Sequence, residues 1–107
     1  MKTYTVIISA AARDDIEFIS DYIIEKYSDH FNAKKVTDKI LARCSKLAVF
    51  PKASSVKLVF MNKKFRFARA GKYVAVYYVD EKNTMVYVSR IIYSRRDIAS
   101  IIKNTSV

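Results

Sequence analysis

The spacing of apolar positions changes once along the chain, from a helical repeat in the first half to an alternating one in the second. Tyr4-Thr5-Val6-Ile7-Ile8-Ser9 is rich in β-branched residues and reads as a short strand. Ala12, Ile16, Ile19, Ile23 and Tyr27 then recur at spacings of 4, 3, 4 and 4, which is one helical stripe. Ser9 is placed to cap this helix, and the early acids Asp14, Asp15 and Glu17 suit its N-terminal end. Ser28-Asp29 breaks the helix and can cap the next. Ala33, Val36, Ile40, Cys44 and Leu47 repeat at 3, 4, 4 and 3, and Pro51 marks the end. The first half is therefore a strand followed by a helical hairpin.

After the loop Pro51-Lys52-Ala53-Ser54-Ser55, three segments dense in aromatic and β-branched residues follow: 65–69, 73–79 and 85–93. Gly71, the one glycine, sits in the first connection, where a positive φ costs little. Asp80-Glu81-Lys82-Asn83 forms the second, with Asn83 suited to the left-handed conformation. Three strands on tight turns make an antiparallel meander. Val56 to Met61 fits either an added strand or an extended lead-in. Ser94-Arg95-Arg96-Asp97 matches a capping box, with Ser94 as N-cap and Asp97 at N3, opening a short helix whose apolar face is Ile98, Ile101 and Ile102. The expected fold is α+β: an N-terminal strand at the edge of the meander, a helical hairpin over one face, and a short C-terminal helix. At 107 residues the chain makes one domain, 1–107, without repeats or linkers.

Charge adds direction. The net charge is +10, and residues 54–107 hold eleven Lys/Arg against three Asp/Glu. An excess concentrated in the sheet half points to a polyanionic partner, nucleic acid or an acidic protein. A single cysteine, Cys44, has no internal disulfide partner and fits a reducing compartment. No apolar run approaches the ~20 residues of a membrane span, and the N-terminus enters a strand pattern directly, so a cytoplasmic protein with no membrane partner is expected.

The order of elements, with Ala12-Arg13-Asp14-Asp15-Ile16, Tyr22-Ile23, Leu47-Ala48-Val49-Phe50-Pro51, Gly71-Lys72-Tyr73-Val74-Ala75-Val76-Tyr77-Tyr78 and Val88-Ser89-Arg90-Ile91-Ile92-Tyr93-Ser94-Arg95-Arg96-Asp97-Ile98, resembles the RelE/ParE family of bacterial toxins over nearly the whole chain. The resemblance implies the toxin of a type II toxin–antitoxin pair, held by a cognate antitoxin in a hetero-oligomer. Members either cleave mRNA on the ribosome or poison DNA gyrase. The leading expectation is a ribosome-dependent mRNA endoribonuclease that inhibits translation. A gyrase inhibitor without nuclease activity and an inactive antitoxin-binding module are the alternatives.

The chemistry available is that of Lys, Arg and Tyr. One histidine, His30, and no cluster of Cys, His or carboxylates argue against a metal site, and no glycine-rich phosphate loop or other cofactor signature is present. RNA cleaves without metal when its 2′-OH attacks the adjacent phosphate, given a base, an acid and cations on the phosphorane. The catalytic candidates are Tyr93, Arg66, Arg69 and Lys64; Lys63, Lys72, Arg90, Arg95 and Arg96 are candidates for nucleic-acid binding. Tyr93 stands where ribonucleolytic relatives often carry a histidine, and equally reads as a strand-end aromatic packed on the last helix. Tyr73, Tyr77, Tyr78 and Tyr87 read more readily as sheet packing than as base platforms. Arg66 and Arg69, three apart in a strand, face opposite sides. Arg95 and Arg96 would begin a helix, where the dipole disfavours cations and an anionic partner would compensate. Val74 departs from the family pattern, because ribonucleolytic relatives commonly carry arginine there; Arg66 or Arg69 would have to replace it.

Overall fold

A computed structural model describes residues 2–105. Strand β1 (Thr5–Ile8) leads into helices α1 (Ala10–Tyr27) and α2 (His30–Ser45), then a 3₁₀ turn (Lys46–Ala48). Strands β2 (Val56–Phe60), β3 (Lys63–Ala70), β4 (Tyr73–Asp80) and β5 (Met85–Tyr93) follow, and α3 (Ile98–Lys103) ends the described chain. The sheet order is β1-β5-β4-β3-β2; β1 runs parallel to β5 and every other pair is antiparallel.

The caps explain the helical boundaries. The Ser9 hydroxyl accepts from the Ala12 amide, and Asp29 accepts from Asn32. Ser28, at φ 51, turns the chain between the two helices. The predicted stripes face the sheet: Ala12, Ile19, Ile23, Ala33, Ile40, Cys44 and Leu47 are buried with Ala68, Ala75, Tyr77, Val86 and Val88. Tyr27 is the exception, 61% exposed at the end of its stripe. The other sheet face holds a smaller core of Phe65, Val74, Val76 and Ile92, covered by Ile102 of α3.

One open alternative is settled and two expectations are corrected. The meander has four strands, because Val56–Phe60 pairs with β3 through a two-residue turn in which Met61 and Asn62 both have positive φ. In the last turn Thr84, not Asn83, takes the left-handed conformation; Asn83 instead bonds back to the Asp80 carboxylate through its amide and side chain. The last helix starts later than the capping box suggested. Asp97, not Ser94, is its N-cap, accepting from the Ser100 amide. Arg95 and Arg96 therefore lie in the turn before the helix and do not begin it.

Candidate functional site

The end of β5 is where the fold builds its most distinctive surface. β1 pairs with β5 only as far as Val88, so the rest of β5 lacks a strand on that side. A bulge falls there, since Val76 pairs with Arg90 and Tyr77 with Val88. Side chains of the α1 region take over from β1. The Ser9 hydroxyl donates to the Ser89 carbonyl at 2.8 Å, and the Asp15 carboxylate accepts the Ile91 amide at 2.9 Å. Asp15 also binds the Arg90 guanidinium through two bonds of 2.7 and 2.8 Å, and Arg90 donates onward to Thr105 Oγ1. The Asp15 bonds raise the Arg90 pKa against the opposing effect of burial. Arg90 is thus bound within the protein, tying α1, β5 and the segment after α3 together.

Fixed in this way, the β5 end and the Gly71-Lys72 turn face the helical hairpin across a groove of about 1140 Å³. Tyr22 and Tyr27 of α1 form one wall; Tyr73 and Tyr93 form the other, ring centroids 5.9 Å apart in an edge-to-face contact. Burial, followed by the proximity of Tyr22, Tyr93 and Tyr27, raises the Tyr73 pKa, so its hydroxyl stays a proton donor at neutral pH. Lys39, Lys72 and Arg96 lie on the lip. The Lys39 ammonium comes within 3.5 Å of where a β-carbon on Gly71 would sit, which brings α2 onto the β3–β4 turn. Gly71, at φ 63, supplies the backbone conformation this turn needs.

The candidates named from sequence therefore divide. Tyr93, Lys72 and Arg96 share the groove, and Arg90 reaches its wall but is paired. Arg95 is exposed in the turn beside Arg96. Arg66 faces the helical side, where its guanidinium donates to the Ser54 carbonyl next to the Tyr77–Pro51 bond. Arg69 faces the α3 side and bonds to the Gly71 carbonyl. Lys63 stands over the Tyr78 ring, 5.3 Å from its centroid, and exposed Lys64 adjoins it at the β2 end of β3, about 20 Å from the groove at strand rise. Val74 is buried under α3, with Arg69 directly across from it on the same sheet face.

Sequence reasoning missed Tyr22, Tyr73, Lys39 and Asp15 as parts of this corner. Phe18 and Tyr22, four apart and off the α1 core stripe, were the legible sign of a second apolar face; both are exposed, Phe18 at 71%. Among the described residues no group of His, Cys, Asp or Glu could hold a metal ion, and no helix is long and apolar enough to cross a membrane. Cys44 is buried, and burial pushes its thiol up to about 11, which suits packing rather than nucleophilic chemistry.

Residues 6–98 match the family model described as the ParE toxin of the type II toxin–antitoxin system parDE. The chain belongs to the ParE toxin family. It is a toxin of the type II toxin–antitoxin class, in the RelE/ParE group that its sequence resembles. No curated protein matches it significantly. Solved structures of the same fold include a toxin–antitoxin complex, RelBE2, from Mycobacterium tuberculosis, at 20% identity and TM-score 0.64 over 85% of this chain and 98% of that one. The chromosomal ParDE system of P. aeruginosa aligns at 14% identity and TM-score 0.69, over 87% and 98%. The archaeal RelE–RelB complex of Pyrococcus horikoshii aligns at 18% and 0.64, over 88% and 98%. These likenesses establish the α+β fold of the toxins; the structure supplies the strand count and the site geometry.

Proposed function

We propose that this toxin arrests growth in the cytoplasm by binding DNA gyrase on DNA, and that a cognate antitoxin neutralises it in a toxin–antitoxin complex. The observation that carries this reading is the separation of Arg66 and Arg69, the two arginines that could replace the one absent at Val74. Metal-free RNA cleavage needs cations converging on one phosphorane. Here Arg66 and Arg69 lie on opposite faces of the sheet, each bonded to a carbonyl, and Arg90 is neutralised by Asp15. What the fold offers is a basic surface with an aromatic groove, suited to gripping a protein–DNA assembly. The family match and the solved toxin–antitoxin complexes support the antitoxin as partner.

A second reading, ribosome-dependent mRNA cleavage, is favoured by one placement. Arg69 projects beside Val74 on the α3 face, next to the position where ribonucleolytic relatives carry arginine. Brief induction in cells separates the two. Gyrase-trapped DNA breaks with intact mRNA 5′ ends are expected; cuts within translated codons, abolished by Arg69→Ala, would establish the second reading instead.

A further inference from the structure

We infer that the tip of the β2–β3 hairpin is a wedge for duplex DNA, with Met61 entering the minor groove at a base step and Lys63 and Lys64 held over the two phosphate backbones that wall it. The inference rests on the reading of a gyrase–DNA target and names how the toxin touches the DNA. Three observations carry it. The tip stands clear of the rest of the sheet, because β3 pairs with β4 only from Phe65 onwards and residues 59–64 form a two-stranded finger paired with itself. Met61 is 68% exposed at its end, and Val59 behind it is 63% exposed. Both central residues of the turn have positive φ, 54 at Met61 and 62 at Asn62. A turn of this kind favours Asn, Asp or Gly at both places; Asn62 fits that rule and Met61 does not. A long apolar side chain kept in an unfavourable backbone conformation and left in solvent is placed for an external contact.

The third observation is the placing of the cations. Lys63 and Lys64 are neighbours in one strand and so project from opposite faces of the finger. Lys63 lies over the Tyr78 ring on the α3 side, and Lys64 stands across from Val59 on the other. Among the described residues neither enters an ion pair, and the Asp80 carboxylate at the end of β4 is taken by Asn83. A minor groove about 6 Å wide admits a side chain on a turn and not a two-stranded ribbon. Methionine is one of the apolar residues that wedge between base steps and kink the duplex. With Met61 in the groove, cations on opposite faces of the finger meet phosphates of opposite strands. An acidic peptide laid on one face would meet one lysine and leave Met61 in water.

The test is fluorescence anisotropy of the purified toxin with a labelled duplex of about 20 base pairs, centred on a TA step, the kind most easily kinked, across a salt series. Energy transfer between dyes at the two ends should report a bend of about 20–90°. Met61→Asn should abolish the bend and weaken binding roughly tenfold, the loss of one buried methionine side chain, while Met61→Leu keeps both, with affinity within about twofold. The Asn variant should melt no lower than the parent, because asparagine suits the positive φ there. Lys63→Ala and Lys64→Ala should each reduce the slope of log K against log salt by about 0.9. Lys35→Ala and Lys46→Ala remove the same charge from exposed positions in the helical half and should change the slope by less than about 0.3. The inference is overturned if Met61→Asn binds and bends the duplex as the parent does, or if all four lysine variants change the slope equally. It is also overturned if Met61→Asn releases the toxin from phosphatidylglycerol vesicles or polyglutamate and leaves duplex affinity unchanged. Gyrase supercoiling is scored separately with the same variants. Finger-dependent DNA binding with gyrase unaffected would count against the proposed target alone; gyrase inhibition without finger-dependent DNA binding would count against the wedge alone.

Discussion

Replacing Asp15 by alanine should be the most damaging single change near the corner, although Asp15 is a helix-surface acid by sequence. Its carboxylate accepts three bonds, two from Arg90 and one from the Ile91 amide, where β5 has no strand on its β1 side. Removing one member of a fully buried ion pair costs ~3–5 kcal/mol. The Arg90 and Asp15 side chains keep 27% and 15% of their exposure, so water recovers part of that loss, and about 2–3 kcal/mol is expected. In a domain of this size that is a fall in Tm of roughly 10–20 °C. Asp15→Asn keeps an acceptor for Ile91 and should lose about 1 kcal/mol. The assay is urea and thermal unfolding followed by circular dichroism, with Arg90→Ala and the double variant completing a cycle. A coupling of about 2 kcal/mol is expected. An Asp15→Ala protein within ~0.5 kcal/mol of the parent would refute the claim that this carboxylate stands in for the missing strand.

Other outcomes follow from single features. Burial holds the Cys44 thiol at about 11 in the folded protein against about 9 when unfolded, so the unfolded state releases that proton first. Stability should fall as pH rises from 9 towards 11, by about 1.4 kcal/mol per unit from this thiol, and comparing alkaline unfolding of the parent with Cys44→Ala isolates the effect. Gly71→Ala, forced to φ 63 beside Lys39, should cost roughly 1 kcal/mol in denaturant unfolding. Ile102→Ala should cost about 2 kcal/mol or more and raise binding of an apolar dye, because Ile102 is the buried residue of α3 over Phe65, Val74 and Val76.

The helices were legible because each carries one uninterrupted apolar stripe and a side-chain cap, and Ser9, Ser28 and Asp29 act as their sequence suggests. Tyr73 and Tyr77 fall on one sheet face and Tyr78 on the other, as strand alternation requires. The C-terminal cap was not legible, because Ser94 and Asp97 both satisfy the local rule and only packing of Ile98, Ile101 and Ile102 against β5 chooses between them. The site was half legible. Tyr93, Lys72 and Arg96 are close in sequence to turns that meet, whereas Lys39 and Tyr22 join them only through the way the hairpin lies on the sheet. Arg90 reads as a free cation in sequence, since its partner Asp15 is 75 residues away.

We propose that this ParE-family toxin acts by holding its target and not by cutting RNA. The most direct measurement adds the purified toxin to DNA gyrase and relaxed plasmid, and in parallel to a translating ribosome programmed with a defined mRNA. Loss of supercoiling with accumulation of gyrase-linked broken DNA, reversed by the cognate antitoxin, is expected, with mRNA that stays intact. Unimpaired supercoiling together with mRNA cut at the ribosome would contradict it.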